Sequence, residues 1–303
     1  MSKIYKALEK AERERMKGLM KDQPTVSGTK GEKMEILEIK YKPSEMDGKI
    51  FDQQLVSLYE PGSLAAEQFR KLRTYLLRLR ISDTPKTIMV TSARNSEGKT
   101  FVATNLAIGI AHDLQSHAVL VDCDLRNPSI SRWFGLQNDK GLSDYLTGNG
   151  EISGLLKKTK VEKLSIIGGG SVQDNPTELI GSEKMEALVL ELKSRYPDRY
   201  VIFDSTPLLA TTEPQVLEKV VDGIIVVVRA GVTPRETVKQ AIAPLEKEKL
   251  FGFVLNYLEF KSSGLSSRYF GSDGYYHRYG YSKSLTEPQK RWTKPFRFIK
   301  KSG

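Results

Sequence analysis

The chain has 303 residues, of which 39% are hydrophobic, so it can hold one large α/β domain or two small ones with a real core. Its longest apolar run, Ile224–Val228, is far shorter than the ~18 residues of a membrane-spanning helix. No signal peptide opens the sequence and Cys123 is the only cysteine, so a secreted, disulfide-stabilised protein is not expected. These features predict a cytoplasmic protein.

The formal net charge of +10 is concentrated near the C-terminus. Residues 261–303 carry ten lysines and arginines against Asp273 and Glu287, a net of +8. A basic tail favours an acidic partner such as an anionic membrane or a nucleic acid. Because no nucleic-acid-binding module is recognisable, we rank a nucleic-acid binder last among the possible functions.

In chain order, the first segment is an N-terminal arm, residues 1–60. Ile4, Leu8 and Ala11 have helical spacing among charged residues, which predicts a short amphipathic helix able to dock on a partner. From Lys21 onwards the arm is polar and without a sustained period, which is typical of a linker.

Residues 61–260 are predicted to form the folded domain, since short apolar segments alternate with segments of helical period. The predicted strands are Thr87–Thr91, Ala118–Asp122, Leu164–Ile167, Tyr200–Asp204, Gly223–Arg229 and Gly252–Leu255. The predicted helices are Leu64–Leu79, Thr100–Leu114, Ser182–Tyr196, Pro214–Val221 and Pro234–Glu248. This alternation predicts an α/β fold, a doubly wound and mostly parallel sheet with helices on both faces, whose ligands bind at the carboxyl ends of the strands.

A phosphate-binding loop follows the first predicted strand. The run from Ala93 to Thr100 has a small residue, four others and then Gly-Lys-Thr, placed between a strand and a helix. Such a loop points successive N–H groups at phosphates, while the lysine reaches the β- and γ-phosphates and the threonine binds Mg²⁺. We therefore predict ATP and Mg²⁺ as cofactors, with ATP contacts from Ala93, Arg94, Asn95, Ser96, Glu97, Gly98, Lys99, Thr100 and Phe101.

Carboxylates end two further predicted strands at the same edge of the sheet. Asp122 and Asp124 follow one apolar run and Asp204 ends another. We predict that Thr100, Asp122 and Asp204 hold the metal, and that Asp122 can also accept a proton from an attacking hydroxyl. Lys99, Asp122, Asp124 and Asp204 are the predicted catalytic set, although for Asp124 alone a turn residue is an equal alternative.

Together these motifs resemble the bacterial tyrosine kinases, which are related to the MinD/ParA P-loop ATPases and regulate extracellular polysaccharide synthesis. The resemblance includes the phosphate loop, an Asp-x-Asp-x-Arg motif that ends at Arg126, and Asp204 after an apolar run. It extends to the Asn-Pro-x-Glu-Leu segment at Asn175–Leu179, and to Asn256, which the resemblance places at the adenine.

Two features separate this family from its relatives. Glu67, Arg70 and Arg73 reproduce the Glu-x-x-Arg-x-x-Arg helix through which such kinases form rings, and their spacing puts them on one helix face. The basic tail, residues 261–303, is predicted to be disordered and holds five of the chain's 13 tyrosines within thirteen residues. The predicted phosphate acceptors are Tyr269, Tyr275, Tyr276, Tyr279 and Tyr281.

The resemblance implies an ATP-dependent tyrosine autokinase of exopolysaccharide or capsule synthesis or export. It implies a ring-shaped homo-oligomer, a separate membrane-spanning activator, a cognate phosphatase and recruitment to the inner face of the plasma membrane. The aromatic and basic residues 290–301 also allow a peripheral lipid contact. The alternative function is a MinD/ParA-type positioning ATPase, a nucleotide-dependent switch that binds membrane or DNA.

Overall fold

A computed structural model describes residues 54–78, 86–136, 140–194 and 198–258, together with the backbone of 297–300. The predicted N-terminal helix, almost all of the predicted linker and the five tail tyrosines lie outside the described residues. All described residues belong to one compact unit. None of the helices among them is long and apolar enough to cross a membrane.

The described residues form one sheet flanked by helices. The strands are β1 (Thr87–Ser92), β2 (His117–Asp122), β3 (Lys157–Lys158), β4 (Leu164–Ile167), β5 (Arg199–Asp204), β6 (Gly223–Arg229), β7 (Leu250–Asn256) and β8 (Arg297–Lys300). The α-helices are α1 (Val56–Tyr59), α2 (Leu64–Leu77), α3 (Lys99–Ala111), α4 (Ile130–Trp133), α5 (Leu142–Leu146), α6 (Ile152–Leu155), α7 (Pro176–Ile180), α8 (Glu183–Ser194), α9 (Glu213–Leu217) and α10 (Arg235–Ile242). Two 3₁₀ helices cover Glu218–Val220 and Lys247–Lys249.

The strand order is β3-β4-β2-β5-β1-β6-β7-β8. The pairs β3·β4 and β7·β8 are antiparallel and the others are parallel. Along β6, Ile225 and Val227 pack into one core cluster, whereas Val226 packs into the cluster on the opposite face. The sheet is therefore covered on both sides, which explains its continuous apolar strands and confirms the predicted fold class.

Several predicted boundaries differ from the structure for local reasons. The last predicted helix, Pro234–Glu248, ends at Ile242, because Pro244 has no backbone N–H to continue the helical hydrogen bonds. The short helices α4 to α7 and the two-residue strand β3 have too few residues to show a period, and were not predicted. Strand β8 lies inside the tail predicted to be disordered, so for Arg297–Lys300 that prediction is wrong.

The parallel register brings the acidic strand ends together. Asp122 at the end of β2 is directly opposite Asp204 at the end of β5. Asp204 is in turn opposite Val90 in β1, two residues before the strand ends at Ser92 and the phosphate loop begins. The carboxyl edge of the sheet thus positions the candidate site.

Candidate active site

The phosphate loop has the backbone that its sequence predicts. Ser96 and Gly98 both have positive φ, 62° and 90°, and Gly98 precedes helix α3 directly. A Cβ atom on Gly98 would lie 2.1 Å from Nδ2 of Asn256. Glycine is therefore required here both by the left-handed backbone and by the space that Asn256 occupies.

Glu97, which is only 2% exposed, holds the phosphate loop in place. Its Oε2 accepts a hydrogen bond of 2.9 Å from the backbone N–H of Arg94, and its Oε1 accepts one from the hydroxyl of Thr233. Its carbonyl accepts a bond of 2.9 Å from Nδ2 of Asn256. Glu97 thereby joins the phosphate loop after β1 to the loop after β6 and to the end of β7, which fixes the shape of the phosphate loop.

Lys99 is the charged centre of the site. Its Nζ lies 2.8 Å from Oδ2 of Asp124, and both side chains are 14% exposed. Burial by itself lowers the pKa of Lys99, but the carboxylates of Asp204, Asp124 and Asp122 together raise it above its ordinary value. The lysine is therefore held as a cation, with Asp124 as its direct partner.

Asp204 is the carboxylate whose oxygens remain free. It is fully buried, and neither oxygen accepts a hydrogen bond of normal geometry. Burial raises its pKa to about 6, while Lys99 and the nearby Thr100 hydroxyl act in the opposite direction. Buried polar atoms without a partner are uncommon in native proteins and call for an explanation such as a missing ion.

Asp122 is equally buried but its oxygens are occupied. Oδ2 accepts backbone bonds of 2.8 Å from Ser129 and 3.0 Å from Ile130, while Oδ1 accepts one of 3.2 Å from Asp124. Burial, followed by the neighbouring Asp204, raises its pKa to about 7. The two facing carboxylates thus differ, because Asp122 fixes the loop after β2 through backbone N–H groups, whereas no backbone N–H donates to the carboxylate of Asp204.

The donor set fits a magnesium ion bound together with a nucleotide. Within the described ranges, no three His, Cys, Asp or Glu side chains converge as a complete metal cage. Mg²⁺ usually takes one or two protein oxygens and completes its shell with water and substrate phosphates. Thr100 at the start of α3 and the unbonded oxygens of Asp204 are suited to that role.

Arg126, the last residue of the Asp-x-Asp-x-Arg motif, binds a glutamate that is not part of the predicted site. Its Nε and Nη2 each lie 2.9 Å from Oε1 of Glu213, which is 1% exposed. This ion pair ties the loop after β2 to helix α9.

The Asn175–Leu179 segment contains the start of α7, with Pro176 in its first turn. The hydroxyl oxygens of Thr177 and Thr212 lie 3.2 Å apart.

Two of the residues predicted to contact ATP, Phe101 and Asn256, are buried. The side chain of Phe101 packs in the core against Phe69, with ring centroids 5.6 Å apart. Asn256, placed at the adenine by the family resemblance, is 3% exposed and holds the phosphate loop through Glu97. Arg94, Asn95 and Ser96 are exposed on the loop.

The predicted interface residues on α2 divide into two groups. Glu67 and Arg70 form an ion pair, and Arg70 also donates to the carbonyl of Pro61 at 2.8 Å. Arg73 instead donates to the carbonyl of Gly109 in α3 at 3.1 Å. Arg73 therefore binds its own domain, while the other two remain partly exposed.

Sequence reasoning missed Thr233 and Glu213, the polar groups that join separate loops at the site. Their only signal was position, since each follows a core strand at the carboxyl edge. Hydroxyl and carboxyl residues are common in such loops, so nothing in the local pattern distinguishes these two.

Comparison with known proteins identifies relatives for most of this region. The chain is 33% identical over 212 residues to tyrosine-protein kinase YwqD of Bacillus subtilis (strain 168), which covers 69% of this chain and 88% of YwqD. It is also 33% identical over 215 residues to tyrosine-protein kinase wzc of Salmonella typhi. That match covers 70% of this chain but only 29% of wzc. No protein-family model matches the chain.

A solved structure supports the same assignment. The kinase domain of the Escherichia coli tyrosine kinase ETK superposes with a TM-score of 0.65 at 29% sequence identity. The match covers 69% of this chain and 82% of that domain. Both the sequence and the structural matches therefore cover about the same share of the chain.

Proposed function

The chain belongs to the bacterial tyrosine-protein kinases, and on that basis we propose that it phosphorylates tyrosines of its own C-terminal tail. The observation that supports this most strongly is the cationic Lys99 at the end of the phosphate loop, facing Asp204 with its unbonded oxygens. A lysine and a free carboxylate at one strand edge are the groups needed to bind Mg·ATP beside an attacking hydroxyl.

In the proposed reaction, a phenol oxygen attacks the γ-phosphorus in line with the bond to ADP. The new P–O bond forms on tyrosine, the bond to the β-phosphate oxygen breaks, and the electron pair leaves with ADP. Lys99 exchanges its contact with Asp124 for phosphate oxygens and stabilises their charge. Asp124, which contacts the lysine in this structure, would then be free to accept the phenol proton.

Mg²⁺ would be held by Thr100 and Asp204, and would neutralise charge on the transferred phosphoryl group. Asp122, proposed from the sequence as a metal ligand, supports this site by fixing the loop after β2 through the backbone N–H groups of Ser129 and Ile130. We assign these different roles because the carboxylate oxygens of Asp122 already accept backbone hydrogen bonds, whereas those of Asp204 do not.

The proposed acceptors are Tyr269, Tyr275, Tyr276, Tyr279 and Tyr281. Each phosphate adds about −1.5 to −2 charges at neutral pH. Five modifications would therefore cancel most or all of the net charge of +8 that the tail carries. Autophosphorylation is therefore proposed as a switch for the electrostatic contacts of the tail.

The proposed biological role is the regulation of exopolysaccharide or capsule synthesis or export, which rests on the family resemblance. The proposed partners are further copies of the chain in a ring, a separate membrane-spanning activator and a phosphatase. In this proposal Glu67 and Arg70 offer a charged surface to a neighbouring copy, and the activator holds the protein at the inner face of the plasma membrane. Three parts are proposed for the chain, namely the arm 1–60, the kinase domain 61–260 and the tail 261–303.

The direct test is to incubate the purified chain with Mg·ATP and detect phosphotyrosine, with and without a candidate membrane activator. A Lys99→Ala variant serves as the inactive control. We expect phosphotyrosine in the wild type and a loss of at least ~100-fold in the variant, because the phosphate charge is no longer stabilised. ATP hydrolysis stimulated by lipid or DNA, without phosphotyrosine, would instead support a positioning ATPase.

A second variant locates the acceptors. Replacing all five tail tyrosines by phenylalanine should abolish most labelling while leaving ATP binding unchanged, because the tail is not part of the phosphate loop. Undiminished labelling of this variant would place the acceptors elsewhere in the chain.

A further inference from the structure

Large apolar side chains are exposed beside the site. Among the described residues, Val172 is 67% exposed and Leu209 is 40% exposed. Val172 follows β4 and Leu209 follows β5, so both lie in loops at the carboxyl edge of the sheet, where Lys99 also lies. We call these two side chains the apolar rim.

Both loops of the apolar rim are attached directly to the site. The backbone N–H of Leu209 donates to the carbonyl of Ala93, the first residue of the phosphate loop, at 3.3 Å. A Cβ atom on Gly169, three residues before Val172, would lie 3.6 Å from Cγ of Asp122. The loops that carry the apolar rim therefore adjoin the phosphate loop and Asp122.

The surface that continues from Val172 is acidic. Residues 171–186 contain four exposed acidic side chains and one exposed lysine, a net of −3. The acidic residues are Asp174, Glu178, Glu183 and Glu186. This segment includes the Asn175–Leu179 motif, which the chemistry of the site does not use.

The tail has the complementary character. Its tyrosines offer aromatic rings suited to an apolar contact, and residues 261–303 carry a net charge of +8. Opposite charges of this kind guide encounter and set orientation. Apolar and acidic groups beside one another match a basic, tyrosine-rich segment better than they match ATP, which is strongly anionic.

The tail also begins within reach. Strand β7 is three strand positions from β5 and five from β4, which corresponds to roughly 15 and 24 Å. Between Tyr257 and Tyr269 the chain advances twelve residues, enough to span up to about 40 Å. The tyrosines of the same chain or of a neighbouring copy can therefore arrive at this surface.

We propose that the apolar rim, together with Asp174 and Glu178, is the docking surface for the tyrosine-bearing tail. This inference rests on the proposed autokinase function and assigns its acceptor site. The rim receives the tyrosine rings, and the two carboxylates bind the basic residues that flank them.

The test separates enzyme from acceptor. The enzyme carries Phe at all five tail tyrosines, and the acceptor is the full chain with Lys99→Ala, which has the tyrosines but no activity. Initial rates of phosphotyrosine formation are measured as the acceptor concentration is varied. Val172→Ser combined with Leu209→Ser in the enzyme should raise the KM for the acceptor about fivefold or more, since apolar contact area is lost.

A matched control uses the other side of the molecule. Leu114 and Leu190 are 93% and 64% exposed and lie away from the carboxyl edge, so serine at both should leave the acceptor KM unchanged. The KM for ATP should stay within about twofold in the rim variant, because its side chains are not in the phosphate loop. Equal acceptor KM values for the rim and control variants would overturn the proposal.

Charge provides a second, independent measurement. Asp174→Lys combined with Glu178→Lys should weaken binding of a synthetic peptide of residues 261–303 about fivefold or more, and should reduce the salt dependence of that binding. Glu162→Lys, an exposed change beside β4 at the amino edge, is the control. Because peptide binding needs no catalysis, an enzyme that binds the peptide but forms no phosphotyrosine contradicts the proposed function. Peptide binding that the Asp174/Glu178 change affects no more than the Glu162 control contradicts the docking surface.

Discussion

Charged side chains are buried at one edge of the sheet and partly exposed at the opposite edge. At the carboxyl edge, Asp122 and Asp204 are fully buried and Lys99 is largely covered. At the amino edge, the ion pair between His117 and Asp198 is almost half exposed. One strand, β5, is bracketed by both environments, since Asp198 precedes it and Asp204 ends it.

The difference shows where folding free energy is given up for function. Removing a carboxylate from water is costly unless it is paired and hydrogen-bonded, and neither side-chain oxygen of Asp204 accepts a hydrogen bond of normal geometry. Nothing in the packing of β5 requires a carboxylate at its end, since the three residues before Asp204 are apolar and buried. A strongly perturbed buried acid facing a lysine is instead typical of a functional site.

The largest expected effect comes from Asp204→Asn. The amide keeps the shape but removes the negative charge available to Mg²⁺, so we expect the rate of tyrosine phosphorylation to fall by at least ~100-fold. Circular dichroism and thermal unfolding should show that the variant is folded. A variant with more than a tenth of wild-type activity would show that Asp204 does not hold the metal.

The next prediction concerns stability against pH. The pKa values of about 7 for Asp122 and about 6 for Asp204 lie above the ~3.9 of an unfolded aspartate, so the folded state binds more protons between about pH 4 and 7. Their contribution to stability is therefore lost as pH rises through this window. Urea unfolding without nucleotide or metal should show this loss, and Asp204→Asn should reduce it by ~3 kcal/mol.

Parallel pH profiles of the wild type and Asp204→Asn would contradict that assignment. Addition of Mg·ATP gives the opposite test. Ligand binding requires the ionised carboxylate, so the stabilisation by Mg·ATP should increase as pH rises through about 6 to 7.

A smaller effect is expected at the clamp on the phosphate loop. Thr233→Val keeps the side-chain shape but leaves Oε1 of the buried Glu97 without its hydroxyl donor. Losing such a partner costs about 1–3 kcal/mol. Because Glu97 fixes the phosphate loop, we expect part of this cost to weaken ATP binding and to raise the KM for ATP about fivefold or more. Thr233→Ser should retain the wild-type KM, and a serine variant as impaired as the valine variant would exclude the hydroxyl as the cause.

The smallest effect is expected at the amino edge. Asp198→Asn removes an exposed ion pair with His117, and such pairs contribute about 0–1 kcal/mol. Activity should stay within about twofold of the wild type and the melting temperature should change little. A large loss of activity here would remove the contrast between the two ends of β5.

Much of this architecture could be predicted because its signals are local and repeated. Apolar strands such as Gly223–Arg229, and the Gly-Lys-Thr run placed between strand and helix, are specified by period and spacing. The meeting of Asp122 with Asp204 follows from parallel strands that end at one edge. These features need only strand direction and strand order.

Side-chain partners could not be predicted, because they depend on loops that approach from distant parts of the sequence. Thr233 is 136 residues from Glu97, and Glu213 is 87 residues from Arg126. The same limit explains why Asp122 and Asp204, both aspartates that end strands, could not be told apart. Only the backbone of Ser129 and Ile130 shows that one is occupied and the other free.

The pairing of β8 with β7 alters how the tyrosine cluster is attached. Arg297 lies opposite Leu255, so the 38 residues 259–296 leave and re-enter the domain at the same edge of the sheet. The segment that contains the tyrosine cluster is therefore attached to the folded domain at both ends. Proteolytic removal of the last seven residues would keep all five tyrosines in the chain but leave their segment attached at one end only.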